Sequence, residues 1–296
     1  MTFAPVYESF IAPARARPQI WRLLVGLVLI ALVYVLWLAL IGGGVVLFGG
    51  LDRLEARLAE IGQGSDPATL TVLLLTFAGM GLGAMLAARL MHGRPMGSLF
   101  GRAPVVLRDF ALGFGILGGL ALVTGLPALL FVDLEPGLAL EVWLRFLPVV
   151  LLGLLIQTGA EELVFRGYLQ QQLAARFRSP LVWMVLPSVL FGLAHYAPEE
   201  MGANAWHVVL ATGAFGLVAA DLTARAGSLG LAWGLHFANN IFAILFITAG
   251  GALDGMALGR LPYGPDDTEV MRPLILADIA LLGVTWGLCR LALRAR

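Results

Sequence analysis

Glu161-Glu162-Leu163-Val164-Phe165-Arg166 sets two adjacent carboxylates and a guanidinium directly behind a long apolar run. Charge in hydrocarbon is costly, so ionisable side chains in such a place are functional candidates. On a helix Glu162 and Arg166 are four residues apart and share a face. Glu161 points about 100° away from Glu162 and is not neutralised by that pair. One carboxylate is therefore expected to pair with Arg166 and the other to be left for chemistry. The bland alternative is a helix end meeting the interface, where a charged cluster is ordinary. His195, in Phe191-Gly192-Leu193-Ala194-His195, and His236, in His236-Phe237-Ala238-Asn239-Asn240, lie in two further apolar segments. Asn240 is one turn from His236 on the same face, while Asn239 is expected to point elsewhere. Either histidine alone could be a hydrogen-bonded packing residue. A carboxylate and imidazoles around a water can make a hydrolase. A glutamate can act as general base to water. Glu161, His195 and His236 could instead hold zinc or another divalent metal whose bound water becomes nucleophilic. His236 or Asn240 could stabilise an oxyanion.

Other catalytic patterns fit poorly. His-Glu-x-x-His is absent, Ser188 has no Gly-x-Ser-x-Gly setting, and Asp221, Asp254 and Asp278 form no paired aspartyl signature. The chain has no lysine, which excludes Schiff-base and Walker-type lysine chemistry, and its one cysteine, Cys289, allows no internal disulfide. His92 is expected to be solvated in an arginine-bearing loop, and His207 to lie at a span edge.

The elements that must position these groups are membrane helices. Of 296 residues, 59% are hydrophobic and only 13% charged, with a mean hydropathy of +0.89. That composition excludes a soluble enzyme, and nineteen basic residues balanced by nineteen acidic ones exclude a nucleic-acid partner. Spans of roughly 20 apolar residues are expected at Leu23–Phe48, Leu70–Met91, Phe110–Val132, Val142 to beyond Ala160, Leu181–Tyr196, Ala205–Ala220, Leu229–Thr248 and Leu274–Ala292. The first reads as an uncleaved span. With the N-terminus inside, fourteen of the nineteen arginines fall on the cytoplasmic side, as the positive-inside rule demands of an even span count. The expected fold is all-α, a polytopic membrane protein of about eight transmembrane helices with both termini cytoplasmic. Glycine clusters at 79–83 and 113–119 would let helices approach closely.

Depth is a geometric test. If the fourth helix runs on to a turn near Ser179-Pro180, Glu161 lies 18 residues before it and His195 16 after it, nearly level on antiparallel neighbours. His236 joins them only if this hairpin protrudes by about 12 Å. Gln170, Gln171 and Gln172, with Arg176 and Arg178, suggest that it projects beyond the membrane.

Glu161-Glu162-x-x-x-Arg166, Phe191-x-x-x-His195 and His236-x-x-x-Asn240, in that order on separate spans, resemble the CPBP family, the CAAX-protease and bacteriocin-processing group of intramembrane endopeptidases. The resemblance covers about Val142–Thr248. It implies that Glu161 activates water, that Glu162 and Arg166 shape the site, and that His195 holds the water or a metal. His236 and Asn240 would then be oxyanion stabilisers, or His236 a metal ligand, with both a zinc and a metal-independent route open. The implied organisation is a cytoplasmic segment 1–22, three helices in 23–141, a catalytic core 142–248, and an external loop with the last helix in 249–296. The expected substrate is a membrane-embedded or lipid-anchored peptide or protein, met in a bacterial inner membrane. The alternative is a non-catalytic scaffold or transporter-like protein of the same fold.

Overall fold

The computed structural model describes residues 4–128 and 132–295. The chain folds into α1 (Pro5–Arg15), α2 (Ile20–Gly49), α3 (Leu54–Gln63), α4 (Pro67–His92) and α5 (Ala103–Ala128), then β1 (Glu135–Pro136) and α6 (Leu140–Glu162). A π-helical stretch, Leu163–Gln170, joins α6 to α7 (Gln171–Arg176). A π turn at Leu181–Val185 leads into α8 (Leu186–Leu193). α9 (Pro198–Met201), α10 (Ala205–Ala226) and α11 (Gly230–Ile241) follow, and α11 ends in a third π turn, Phe242–Phe246. β2 (Ile247–Thr248), β3 (Gly259–Arg260) and α12 (Thr268–Arg294) complete the chain.

Six described helical stretches are long and apolar enough to cross a membrane, and Leu181–Leu193 and Gly230–Phe246 are two shorter apolar ones. The surface agrees with that reading. α2 turns Leu24, Val28, Val35, Leu36 and Leu40 outward, each more than 50% exposed. An apolar face of that extent has no stable place in water. The architecture is all-α and polytopic, apart from one sheet of two-residue strands ordered β1-β3-β2. β1 pairs antiparallel with β3 and β2 parallel with it, so the sheet ties the start of α6 to the end of α11. The third expected span starts earlier than its hydropathy suggested, at Ala103 rather than Phe110; residues 129–131, near its expected end, and the C-terminal Arg296 lie outside the described residues.

Local chemistry sets several helix ends. Asp66 caps α4, accepting from Ala68 N and Thr69 N while Thr69 Oγ1 accepts from Asp66 N. Pro67 follows at the first helical position, where no N–H is needed. α12 begins behind Asp267, whose carboxylate accepts from Glu269 N and Val270 N.

The polar hairpin does not face solvent as expected. Gln170, Gln171 and Gln172 are each at most 2% exposed, because α1 covers them. Gln170 Nε2 donates to Tyr7 Oη (3.2 Å) and Ala220 O (3.1 Å). Gln171 binds the Leu99 carbonyl and the Arg94 guanidinium. Burial pushes Arg94 down to about 10, which leaves it cationic at neutral pH. His92, expected in a solvated loop, is the last residue of α4 and only 2% exposed. Its Nδ1 contacts Arg17 O and its Nε2 contacts Tyr168 Oη, both at 2.9 Å. Hydropathy could not reveal these burials, because α1 is a short helix that packs Tyr7, Phe10 and Ile11 against the apolar side chains beside the glutamines.

Candidate active site

α6, the end of α8 and α11 carry the site residues, and each of these three stretches contains or adjoins a π-helical segment. π segments change which side chains share a face and recur at functional sites. Close backbone approach holds α11 in place. A Cβ at Gly113 would stand 2.5 Å from Leu231 O, and one at Gly159 would stand 2.9 Å from the Trp233 ring. α5 and α6 can therefore press against α11 only because these positions lack side chains. Trp233 Nε1 donates to Thr158 Oγ1 at 3.2 Å and locks this contact.

Glu162 and Arg166 pair at 2.9 Å, and both are at most 2% exposed. The guanidinium lies over the Phe191 ring, 4.5 Å from its centroid, and its Nη2 donates to Gly216 O at 3.4 Å. Glu162 Oε1 also accepts from His236 Nδ1 at 2.9 Å. An ionised carboxylate only accepts, so the proton of that bond sits on Nδ1 and Nε2 is turned the other way. There it faces Glu161 Oε2 at 3.7 Å, wider than a direct hydrogen bond. Oε2 is buried and has no hydrogen-bond partner among the described residues. The His236 ring is held edge-on by Phe191 and Phe215, at 5.9 and 5.1 Å between centroids.

The other oxygen of Glu161 exposes a residue that sequence reasoning missed. Gln157 Nε2 donates to Glu161 Oε1 at 2.5 Å, and Gln157 Oε1 accepts from Asn240 Nδ2 at 2.9 Å. The carboxylate fixes the orientation of the amide, since it must be offered the NH2 end. Gln157 thus ties Glu161 on α6 to Asn240 on α11. Its signal was available: one amide, a helical turn before Glu161, in an otherwise apolar stretch. Asn239, expected to point elsewhere, donates to Asn240 Oδ1 at 3.1 Å.

Two pockets meet at this wall. One, about 580 Å³, is lined by apolar side chains such as Leu73, Phe77, Met80 and Leu253, with Glu161 at its wall. The other, about 270 Å³, takes in His236, Thr212 and Asn239. Phe191, His195 and Asn240 line both. His195 donates from Nδ1 to Phe191 O, its neighbour one turn back, at 2.8 Å, which leaves Nε2 as a lone pair. The structure therefore forms two hydrogen-bonded chains, Arg166–Glu162–His236 and Glu161–Gln157–Asn240, which face each other across the 3.7 Å between His236 Nε2 and Glu161 Oε2, and it sets His195 across the shared pocket wall. The hairpin condition is met as well, since Leu229 packs on Gly167, nine residues short of Arg176. His207 stands apart near the start of α10, with a buried Nδ1 that has no partner among the described residues.

Among the described residues no three His, Cys, Asp or Glu side chains are grouped to hold an ion. Glu161 and His236 approach each other, and His195 does not complete a set.

Removing the Gln157 amide checks its positioning role. Gln157→Leu leaves Glu161 Oε1 without its donor, and the expected result is a roughly tenfold fall in kcat with KM little changed. A rise in KM alone would assign Gln157 to substrate contact instead.

Residues 143–242, about a third of the chain, match the family described as type II CAAX prenyl endopeptidase Rce1-like. That segment contains every site residue named above. Over 114 residues the chain is 36% identical to the uncharacterized protein YyaK of Bacillus subtilis (strain 168), which covers 38% of this chain. The matched stretch spans 38% of the length of that relative. No solved structure matches at a significant level. The apolar multi-helix architecture and the Bacillus relative are those of a bacterial membrane protein.

Proposed function

We propose that the chain is an intramembrane endopeptidase that cleaves membrane-embedded or lipid-anchored peptides with a water activated by Glu161. The observation that carries this reading is Glu161 Oε2: a buried carboxylate oxygen without a hydrogen-bond partner, facing His236 Nε2 at 3.7 Å on a wall shared with two pockets. A buried oxygen of that kind is costly unless function uses it.

The chemistry follows from the lone pairs. Glu161 Oε2 takes a proton from water as the water oxygen attacks the scissile carbonyl carbon. The new carboxylic acid hydrogen-bonds to His236 Nε2, whose ring is fixed from behind by Glu162. His195 Nε2, a lone pair, accepts from the water and orients it. Asn240 Nδ2 has two hydrogens and gives one to Gln157, so the other can meet the oxyanion. When the C–N bond breaks, the proton on Glu161 passes to the leaving amine. This route uses side chains alone.

The likeness of residues 143–242 to CAAX endopeptidases supports the assignment, and the surrounding helices fit an eight-span arrangement in a bacterial inner membrane. The arginine bias supports a cytoplasmic side for both chain ends, α1 and the 176–181 hairpin. The direct test is cleavage of an apolar peptide library by the purified protein in bilayers, with Glu161→Gln as the partner sample. Cleavage lost in the variant is expected; equal cleavage by both removes Glu161 from the mechanism. Wild-type inactivity across the library would favour a scaffold. Chelator-treated protein, checked by elemental analysis to be metal-free, is expected to keep its activity. Loss of activity restored by zinc would overturn the metal-independent route.

A further inference from the structure

The aspartate at position 278 takes no part in the chemistry above, yet it lies on the same groove. Asp278 sits on α12, ten residues from its start, or about 15 Å along the helix. It lines the smaller pocket together with His195, His236, Asn239 and Thr212. Its side chain is exposed there and has no hydrogen bond or ion pair among the described residues. Its depth is that of the active carboxylates. Arg166, one turn beyond Glu162, reaches Gly216 O on α10, and Thr212, one turn before Gly216, shares the pocket with Asp278.

The groove therefore presents a carboxyl side chain with no ion-pair partner among the described residues, on a helix long and apolar enough to cross a membrane, where charge is expensive. Arg166 does not compensate it, being spent on Glu162 and enclosed by Phe165, Phe191 and Phe215. The pocket on the opposite side of His195 is the contrary case, walled by Leu73, Phe77, Met80 and Leu253. One wall of side chains thus divides a compartment that is apolar except for Glu161, Gln157, His195 and Asn240 from a mixed one that carries Asp278.

We propose that Asp278 is a cation-binding subsite: it selects peptides that carry an ammonium or guanidinium group on one side of the scissile bond and an apolar residue on the other. The proposal rests on the endopeptidase reading for its substrate class. The cation can be a basic side chain or a free peptide amino terminus, and both offer the same charge-assisted hydrogen bond to a carboxylate.

Binding tests it without requiring turnover. Glu161→Gln protein in bilayers is titrated with a fluorescent apolar peptide in which one Lys, Ala or Glu is moved along the sequence. Each peptide is made with a free and an acetylated amino terminus. At one position Lys is expected to bind on the order of tenfold tighter than Glu, the weight of one charge-assisted hydrogen bond. Adding Asp278→Asn is expected to bring that ratio close to one, and Asp278→Arg to reverse it. A preference that follows acetylation rather than Lys assigns the subsite to the amino terminus. An unchanged ratio in Asp278→Asn, or no preference in the parent, overturns the proposal. Melting temperature checks that both variants fold. Asp278-dependent binding by a wild-type protein that cleaves nothing would sink the endopeptidase reading and leave the subsite standing. Cleavage indifferent to Asp278 would do the reverse.

Discussion

Glu161→Gln is expected to lower kcat by about 10²–10⁴-fold, the range of a positioned general base, with little change in KM or melting temperature. The substitution is nearly isosteric. Its Oε1 can no longer be a carboxylate oxygen beside Gln157 Nε2, but it can still accept that hydrogen bond. What disappears is the second lone-pair oxygen, the one that faces His236 Nε2 at 3.7 Å. In its place stands an NH2 group, which donates to the imidazole and has no affinity for a proton. The fold should tolerate this exchange, since the buried pair of Glu162 and Arg166 is one residue and one turn away and untouched. A loss of kcat accompanied by an equal loss of folded protein would mean that Glu161 is a packing residue. Glu162→Gln makes the useful contrast. It should impair both folding and turnover, because Glu162 is the partner of Arg166 and of His236 at once.

How much of this was legible in the chain depends on whether a residue acts with sequence neighbours or across the fold. The Glu162–Arg166 pair is local, four residues apart on one continuous helical stretch, and spacing alone separates it from Glu161. The level placement of Glu161 and His195 followed from counting residues either side of one turn. His236 needed the hairpin to protrude, and that condition became visible only when Leu229 was seen against Gly167. Gln157 was overlooked although it lies one turn before Glu161 on α6, because its second partner, Asn240, is on α11 and 83 residues away. Asn239 was misplaced for a related reason. The structure ends the α-helical count just beyond it, at Ile241, where the π turn begins, and the pocket wraps far enough round α11 to include both asparagines. The glutamines at 170–172 and His92 were read as solvated because polarity was equated with exposure. Their burial depends on α1, a helix whose apolar residues Tyr7, Phe10 and Ile11 join the core, and on hydrogen-bond partners 70 or more residues away. Of the glycine clusters, Gly113 meets Leu231 closely while Gly115 and Gly119 meet nothing within 4 Å. Composition announces the possibility of close packing and does not say which glycine is used.

Arg166→Met is expected to be the most destabilising single change in the site. Arg166 is 2% exposed and is the cation paired with Glu162, itself fully buried. Removing the cation alone leaves Glu162 buried and ionised, with one oxygen already lacking a partner among the described residues. Breaking a buried pair in this way costs about 3–5 kcal/mol, a large share of ordinary stabilities of about 5–15 kcal/mol. Coulombic loss is only part of this, because the side chain also fills the space between Phe165, Phe191 and Phe215. Methionine replaces much of that volume and keeps contact with the rings, so the charge effect can be read separately. The separating experiment is a double-mutant cycle. Adding Glu162→Gln to Arg166→Met removes the uncompensated charge but keeps an acceptor for His236 Nδ1. Thermal and denaturant unfolding of the double variant should therefore recover most of the lost stability. Peptide cleavage is not expected to recover with it. A neutral amide polarises the imidazole less than a carboxylate does, so His236 Nε2 becomes a weaker acceptor for the proton on Glu161. If the double variant were as unstable as Arg166→Met alone, the contribution of Arg166 would be packing, and the ion pair would not be what holds His236 opposite Glu161.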